Sequence, residues 1–194
     1  MRGGKIEKSL YNPRPMAAES DILYDRASEA DLPAVVDLCM LVEEQHEVYM
    51  PLRWQRRPGL REGYLSWFSR RLNDPRMLIH VAKDPALPAP ATLFGADASG
   101  AVVGCILVTI DKEIPIYTYA EYAYIQDMAV RETHRRRGIA QRLLADAAAW
   151  SAAHGLNQLR LMVAHHNPGA RAAFEKAGFL PTYQEMILPL SPQK

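Results

Sequence analysis

The sequence predicts a single α/β domain. Apolar runs typical of strands alternate along the chain with segments in which apolar residues recur every three or four positions, as in amphipathic helices. The 194 residues suffice for one domain with its own core, without disulfides or metals, and no internal repeat is present. We expect the domain over residues 21–194, after a polar, flexible N-terminal extension over residues 1–20.

The first third of the chain predicts an edge strand and two helices. Ile22–Ala27 is short and fits an edge strand. Asp31 is expected to cap the first helix, because its carboxylate can accept from free N–H groups of the first turn, where Pro33 is also favourable. Residues 47–59 contain two prolines and a glycine and break the helical pattern, and a second helix is predicted over Leu60–Leu72.

The middle of the chain predicts most of the sheet. Met77–Lys83 and Ala101–Ile110 are apolar runs separated by an insert rich in proline and alanine. Either Met77–Lys83 or the intervening Thr92–Asp97 is expected to pair with Ala101–Ile110 as a hairpin, and the pattern leaves both open. A long strand over Tyr117–Val130 and, beyond a helix, a strand over Gln158–Ala164 complete the predicted sheet.

Charge and composition exclude several classes of function. The formal net charge is +1, so no overall field attracts nucleic acid or an acidic membrane, and neither is expected as a partner. Cys39 and Cys105 lie within apolar patterns that predict buried thiols, and no His or Cys cluster has the spacing of a metal site. No apolar run is long enough to span a bilayer and no signal-peptide core is present, so we expect a cytoplasmic protein.

A basic loop between a strand and a helix predicts an anion-binding site. The loop follows Val130, contains Arg135–Arg137 and Gly138, and leads into an amphipathic helix that begins near Ile139. The first N–H groups of a helix have no partner within the helix, and the helix dipole favours negative charge there. Because Gly138 has no Cβ, a phosphate oxygen can approach the backbone closely. A small ligand that carries phosphate is therefore expected at this loop.

Two motifs resemble the signatures of one enzyme family. The spacing Arg135-x-x-Gly138-x-Ala140 resembles the pyrophosphate-binding signature Q/R-x-x-G-x-G/A of the GNAT superfamily of N-acetyltransferases. The second motif of that family, N-x-x-A-x-x-x-Y-x-K-x-G-F, is matched at Asn167, Ala170, Lys176, Gly178 and Phe179. Independently of any family, Asn167 followed by proline predicts the start of a helix, and Gly178 predicts its end. Two motifs in this order are far more specific than either alone.

The resemblance implies a fold, an acetyl donor and an activity. In this family a mixed, mostly antiparallel sheet carries helices on both faces and is splayed between its central strands, and the thioester of acetyl-CoA lies in the gap. The implied reaction is transfer of the acetyl group to a primary amine of a small molecule or peptide by direct attack, since no activated Cys or Ser nucleophile is recognisable. Homodimers are common among relatives. The residues implied to bind acetyl-CoA are Met128, Ala129, Val130, Arg135, Arg136, Arg137, Gly138, Ile139, Ala140, Asn167, Ala170 and Phe174.

The residues expected to move protons depart from the family pattern. Phe174 stands where many relatives carry a tyrosine that protonates the leaving thiolate, and phenylalanine has no proton to donate. Gln126 stands where diamine-acetylating relatives carry a glutamate, and glutamine cannot act as a base. An alkylammonium must lose a proton before it attacks, so Glu121 is the first candidate for the base and Asp127 the second. Tyr183 is the candidate acid.

Two other functions are compatible with this pattern. One is a catalytically weak acyl-CoA-binding sensor or structural protein, which the phenylalanine at position 174 favours, and activity on any amine would exclude it. The other is a nucleotide-binding protein, which is disfavoured because neither GxxxxGK[ST] nor GxGxxG occurs. The segment between Tyr49 and Arg57 is either a cover for the acceptor site or an ordinary surface loop.

Overall fold

Five strands form one sheet, and four helices cover it in the computed structural model, which describes residues 21–88 and 100–190. The strands are β1 (Leu23–Arg26), β2 (Met77–Asp84), β3 (Ala101–Lys112), β4 (Glu121–Val130) and β5 (Leu159–Leu161). The helices are α1 (Leu32–Tyr49), α2 (Leu60–Arg71), α3 (Ile139–Ala153) and α4 (Pro168–Lys176), and short 3₁₀ turns occupy Glu29–Asp31 and Glu132–His134. The predicted extension over residues 1–20 and the candidate strand Thr92–Asp97 lie outside the described residues.

The sheet is mixed and mostly antiparallel, as predicted. Its order is β1-β2-β3-β4-β5, with antiparallel pairing from β1 through β4 and parallel pairing between β4 and β5. Of the two candidate hairpin partners, Met77–Lys83 is the one seen beside β3. The described strand β1 lies at the edge, which confirms the edge strand predicted over Ile22–Ala27.

Helices cover both faces because side chains alternate along each strand. On one face α1 and α2 pack on the sheet through Val35, Phe68 and Leu107, all fully buried. On the other face α3 packs through Leu143 against Ile106, and Phe174 of α4 joins the edge of this cluster. Burial of each such side chain contributes about 1.5–3 kcal/mol, so these two layers fix the helices to the sheet.

The strands β4 and β5 separate along their length. They pair only from Ala123↔Leu159 to Ile125↔Leu161, although β4 continues to Val130. The register of β4 against β3 also shifts here, from Val108↔Ile125 to Leu107↔Asp127, which leaves Gln126 as a bulge. A gap therefore opens between the end of β4 and the chain that follows β5, as the family resemblance implies.

Three predicted boundaries differ from the structure for identifiable reasons. The predicted strand from Tyr117 begins at Glu121, because Pro115 lies in a turn that Tyr117 N–H closes onto the carbonyl of Ile114 at 3.1 Å. The predicted strand Gln158–Ala164 is only three residues long, since the splay removes its partner. The first helix continues to Tyr49, beyond the break predicted at position 47.

The role predicted for Asp31 was wrong in detail. Asp31 occupies the N-cap position of α1, but its side chain caps no N–H of that helix. One carboxylate oxygen instead accepts from Ser28 N–H and Oγ–H at 2.8 and 2.7 Å, and the other lies 2.9 Å from Nζ of Lys83. Both members of this ion pair are buried, and a buried lysine needs a partner of opposite charge. The carboxylate therefore neutralises Lys83 and does not cap α1.

The backbone at Gly100 makes a clear prediction about stability. Its φ is +97°, and a Cβ there would overlap the backbone of Asp84 and Pro85. We expect Gly100→Ala to lower the free energy of unfolding by about 2–4 kcal/mol, measured by denaturant titration. Gly59→Ala is the matched control, because Gly59 has a φ of +74° but nothing within 4 Å, and it should cost about 1 kcal/mol. Equal losses of stability in the two variants would show that the backbone around Gly100 relieves the overlap at no extra cost in free energy of unfolding.

Candidate active site

The basic loop has the backbone of an anion site. After β4 the chain makes a 3₁₀ turn, and then Arg136 and Gly138 adopt left-handed conformations, with φ of 63° and 81°. Gly138 is the N-cap of α3 and supplies no side chain to its first N–H groups. The first backbone bond of the helix runs from Arg142 N–H to Gly138 C=O at 3.1 Å, so the preceding N–H groups are directed out of the helix end. A phosphate placed there would satisfy them.

The arginines around this loop are exposed to solvent. Arg137 lies 3.8 Å from the carboxylate of Asp84 and is 43% exposed at its side chain. Arg135 donates from Nε to the carbonyl of Val130 at 3.4 Å, which leaves the rest of its guanidinium outward. All three of Arg135–Arg137 are exposed. They add mobile positive charge beside the helix end, where a pyrophosphate needs it.

A continuous cleft runs from this loop past α4 to the chain that follows β5 and to Tyr122 and Tyr124 of β4. At the loop end it is lined by Arg136, Arg137 and Gly138, and then by Gln141 and Leu144 of α3. Phe174 of α4 forms the opposite wall, where its ring lies 5.7 Å from that of Phe179. Further along, the lining passes to aromatic residues: Tyr49, Trp54, Tyr117, Tyr119, Tyr122, Tyr124 and Tyr183. The cleft is therefore basic at one end and aromatic at the other.

The remaining residues predicted to bind acetyl-CoA lie beside this cleft rather than in its lining. Met128 and Val130 pack towards α3 and Ala129 packs towards α1, but the backbone of Met128–Val130 lies beyond the last pair with β5. Ile139 is buried, and Ala140 follows it in the first turn of α3. Asn167 Oδ1 accepts from Ala170 N–H at 3.0 Å, which caps α4 as the sequence predicts.

Asp127 is buried beside the gap. The bulge at Gln126 reverses the alternation of β4: Ile125 packs towards α3, whereas Asp127 pairs with Leu107, which packs towards α1 and α2. The carboxyl group is 8% exposed. Burial, together with the charge of Glu43, raises its pKa from the ordinary 3.8 to about 8. A carboxyl group with that pKa can both accept and release a proton near neutral pH.

The pattern of the sequence did not single out the neighbours of Asp127. Glu43 of α1 accepts a hydrogen bond from the hydroxyl of Tyr64 at 2.8 Å. Burial first, and then the charge of Asp127, raise the pKa of Tyr64, so its hydroxyl keeps its proton. The sequence does carry a signal for Glu43, because this residue lies four positions after the buried Cys39 and hence on the inner face of α1.

The other two proton-transfer candidates lie elsewhere. Glu121 begins β4 and pairs with Arg76 at 2.9 Å, roughly 20 Å along an extended strand from Asp127. The structure does not bring these two carboxylates together. Tyr183 lies in the segment after α4, lines the aromatic end of the cleft and is 77% exposed, with its hydroxyl 4.0 Å from Sδ of Met162.

A buried pair fastens the basic loop to the sheet, and no pattern in the sequence indicates it. His134 Nε2 lies 3.0 Å from Oδ2 of Asp84 at the end of β2, and both residues are buried. The hydrogen bond to His134, assisted by the N–H of Ala86, lowers the pKa of Asp84, so this carboxyl stays charged. On its other side the imidazole Nδ1 lies 2.8 Å from the hydroxyl of Thr133. The loop is thereby held at one position relative to β2.

This contact predicts a selective effect on binding of the donor. We expect His134→Ala to raise the Kd for acetyl-CoA about tenfold by releasing the loop, with little change in turnover at saturation. His134→Gln can still donate to Asp84, so its Kd should stay within about threefold of the wild type. Both constants are accessible from calorimetry and steady-state rates. An unchanged Kd in His134→Ala would show that the loop does not need the contact.

The described residues contain neither a metal-binding cluster nor a helix that could cross a membrane. No group of three or more His, Cys, Asp or Glu side chains between residues 21–88 and 100–190 is arranged to hold a metal ion. In the same part of the chain, none of the helices combines the length and apolar character needed to cross a membrane. Cys39 and Cys105 are both buried, as predicted.

Comparison with known proteins supports the interpretation of the two motifs. A family model described as the acetyltransferase (GNAT) family matches residues 52–179. That range contains the basic loop, both predicted signatures and the gap in the sheet. No protein with a curated description matches the sequence.

Solved structures share the fold at low sequence identity. A mutant of the BH1408 protein from Bacillus halodurans is 20% identical, with 87% of this chain and 99% of that chain covered and a TM-score of 0.73. A predicted acetyltransferase with acetyl-CoA from Clostridium acetobutylicum is 16% identical, with coverages of 87% and 96% and a TM-score of 0.64. The aminoglycoside 6'-N-acetyltransferase AAC(6')-Ih from Acinetobacter baumannii is 16% identical, with coverages of 89% and 99% and a TM-score of 0.63. At these identities the likeness concerns the fold.

Proposed function

The chain belongs to the GNAT acetyltransferase family, and on that basis we propose that it transfers the acetyl group of acetyl-CoA to a primary amine by direct attack. The observation that carries this proposal is the continuous cleft, which joins an anion site at Gly138 to Tyr124 of β4, one residue before the pairing of β4 with β5 ends. Its basic end suits a pyrophosphate and its middle suits an extended chain. The solved relative with acetyl-CoA and the aminoglycoside acetyltransferase support the same reaction class.

In this proposal the donor lies along the predicted residues. The N–H groups from Gly138 to Ala140 and the guanidinium groups of Arg135–Arg137 bind the pyrophosphate. The backbone of Met128–Val130 pairs with β3 on one side but has no partner on the β5 side, and there it pairs with the pantetheine arm. Phe174 packs against that arm, and the Asn167–Ala170 cap holds α4 so that Phe174 faces the cleft.

Asp127 is the base that the geometry favours. A primary ammonium that enters the gap loses a proton to Asp127, and its neutral nitrogen then attacks the thioester carbonyl carbon. A backbone N–H from Met128–Val130 stabilises the oxyanion. Collapse breaks the C–S bond and releases the CoA thiolate, and the nitrogen loses its second proton to water to give the amide. Glu121 remains the candidate favoured by sequence alone, but its ion pair with Arg76 and its place at the far end of β4 favour Asp127.

Protonation of the thiolate needs a donor other than Phe174. We assign proton donation to Tyr183. Its exposed phenol lines the cleft, and movement of the segment after α4 can bring it to the thiolate. The phenol of Tyr183 carries a proton that it can donate, and the ring of Phe174 does not. Three further expectations stay predictions: a homodimer, a small-molecule or peptide acceptor, and a cytoplasmic location.

The test of this function is release of the CoA thiol with a panel of primary amines. We expect amine-dependent release at pH 8.5, which disappears in a variant that cannot bind the donor. A protein that binds acetyl-CoA but acetylates no amine would instead fit the catalytically weak binding protein. The phenylalanine at position 174 is the observation that favours this second function.

A further inference from the structure

The segment that follows α4 reaches the place where β4 and β5 begin to separate. It forms neither helix nor strand over residues 179–189, and the hydroxyl of Tyr183 lies 4.0 Å from Sδ of Met162. Met162 is the first residue after the last pair between the two strands, Ile125↔Leu161. The phenol of Tyr183 therefore lies at the opening of the gap, where the thioester is proposed to bind.

Few contacts hold this segment in place. Among the described residues it joins no strand of the sheet, and its larger apolar side chains are mostly exposed: Leu180, Met186, Leu188 and Leu190. In the same part of the chain its side chains make two polar contacts with other segments, from Tyr183 to Met162 and from Glu185 to Nε of Arg53 at 3.1 Å. A thioether is a weak acceptor, so the ion pair is the stronger restraint.

The partner of Glu185 comes from a segment that is fastened to α1. Arg53 follows the end of α1, and its guanidinium lies 5.6 Å from the ring of Trp54. The Trp54 ring stacks on that of His46 in α1, with 4.8 Å between the ring centres. Nearby, Arg56 pairs with Glu47 of α1 at 2.6 Å. The helix thus provides a fixed support for the guanidinium of Arg53.

The ion pair lies close to the phenol at the rim of the cleft. Arg53, Tyr183 and Glu185 all line this cleft. Burial raises the pKa of the Tyr124 hydroxyl, Tyr183 raises it further and Arg53 lowers it, so both groups lie near the same part of β4. Glu185 is two positions from Tyr183, roughly 7 Å along the chain at most. A restraint on Glu185 therefore limits where the phenol can move.

We infer that Arg53 is a positioning residue for the proposed reaction: through its ion pair with Glu185 it holds the phenol of Tyr183 at the opening of the gap, within reach of the leaving thiolate. This inference rests on the proposed function. In the step concerned the O–H bond of Tyr183 breaks, an S–H bond forms on CoA, and water returns a proton to the phenolate. Arg53 acts through Glu185 and does not itself touch the thiolate.

Reversal of the ion pair tests this arrangement at pH 8.5, with the fastest of 2-phenylethylamine, tryptamine, spermidine and neamine as acceptor. We expect Arg53→Glu and Glu185→Arg each to lower kcat about three- to tenfold, with the KM for acetyl-CoA unchanged. The double variant restores opposite charges and should return to within about twofold of the wild type. A double variant no more active than the single variants would overturn the inference, because Arg53 would then act on a ligand rather than through Glu185.

Arg61→Glu is the matched control for the change of charge. Arg61 pairs with Asp37 at 2.8 Å, is about as exposed as Arg53 and lies outside the lining of the cleft. We expect its kcat to remain within about twofold of the wild type. A loss equal to that of Arg53→Glu would overturn the inference, since any reversed surface charge would then suffice.

Tyr183→Phe separates this inference from the assignment of the acid. It should lower kcat at least about tenfold, and the addition of Arg53→Glu should cause no further loss, because both changes act through one phenol. Independent losses would overturn the inference and leave Tyr183 as the acid. An unchanged kcat in Tyr183→Phe would overturn the acid and the inference together, while acetyl transfer would stand.

Cleavage by chymotrypsin after Tyr183 tests the restraint without any acceptor. Under native conditions, with the products followed by mass spectrometry, cleavage should be about three- to tenfold faster in Arg53→Glu and in Glu185→Arg than in the wild type. The double variant should be cleaved at the wild-type rate. Equal rates in all four proteins would overturn the role of the ion pair, whereas transfer to no amine would overturn the proposed function.

Discussion

Replacing Gly138 with aspartate should abolish measurable binding of acetyl-CoA. Gly138 starts α3 at a φ of +81°, and a Cβ there would meet only Gln141 Oε1 at 3.8 Å. The new carboxylate would therefore fit within the protein and occupy the space in front of the free N–H groups. It would take the place of the phosphate and repel it, and we expect the Kd to rise at least about 100-fold.

Gly138→Asn is the matched control for this prediction. Asparagine has nearly the same size as aspartate and tolerates the left-handed conformation equally well, but it carries no charge. We expect its Kd to rise no more than about tenfold. Circular dichroism of both variants would establish that α3 is still formed. Equal, small effects in the two variants would place the pyrophosphate somewhere other than this loop.

Replacing Asp127 with asparagine should lower kcat by about 10²–10⁴-fold, because the buried base is lost. Asparagine has the same shape, so the Kd for acetyl-CoA should not change. Glu121→Gln is the control at the other end of β4, and its kcat should remain within about threefold of the wild type. The opposite result, a loss with Glu121→Gln alone, would restore Glu121 as the base.

The raised pKa of Asp127 predicts a dependence of both rate and stability on pH. The wild-type rate should increase as the pH rises through about 8, where Asp127 ionises. Its buried, protonated form favours folding below the ordinary pKa of 3.8, and this contribution is lost as the pH rises through about 8. Asp127→Asn stays neutral, so its melting temperature should exceed that of the wild type by about 5 °C or more at pH 9. At pH 4 the two should agree within about 2 °C.

Local signals allowed the sequence to predict much of the structure at the basic end of the cleft. Gly138 and Asn167 act through their own neighbours in the chain, so a loop, a cap and a helix start are visible without tertiary contacts. The C-terminal stop at Gly155, with a φ of +72°, is of the same kind. The family resemblance then supplied the splay of the sheet, which no local pattern could show.

The surroundings of Asp127 depend on contacts between distant segments, and these were not predictable. The bulge at Gln126 moves Asp127 to the face of α1, where Glu43 and Tyr64 are its neighbours. Strict alternation along β4 places Glu121 and Asp127 on one face and gives no reason to prefer the buried carboxylate. Tyr117 and Tyr119 have high strand propensity and favoured a longer strand. The turn at Pro115 nevertheless keeps them out of β4.

Calorimetric titration of the protein with acetyl-CoA, with CoA, ATP and NAD as comparison ligands, tests whether the basic loop binds the acetyl donor. We expect acetyl-CoA and CoA to bind with a Kd on the order of 1–100 µM, and ATP and NAD to bind far more weakly. Gly138→Asp should remove the signal and Gly138→Asn should keep most of it. A folded protein that binds neither acetyl-CoA nor CoA, or that prefers ATP or NAD, would contradict the account.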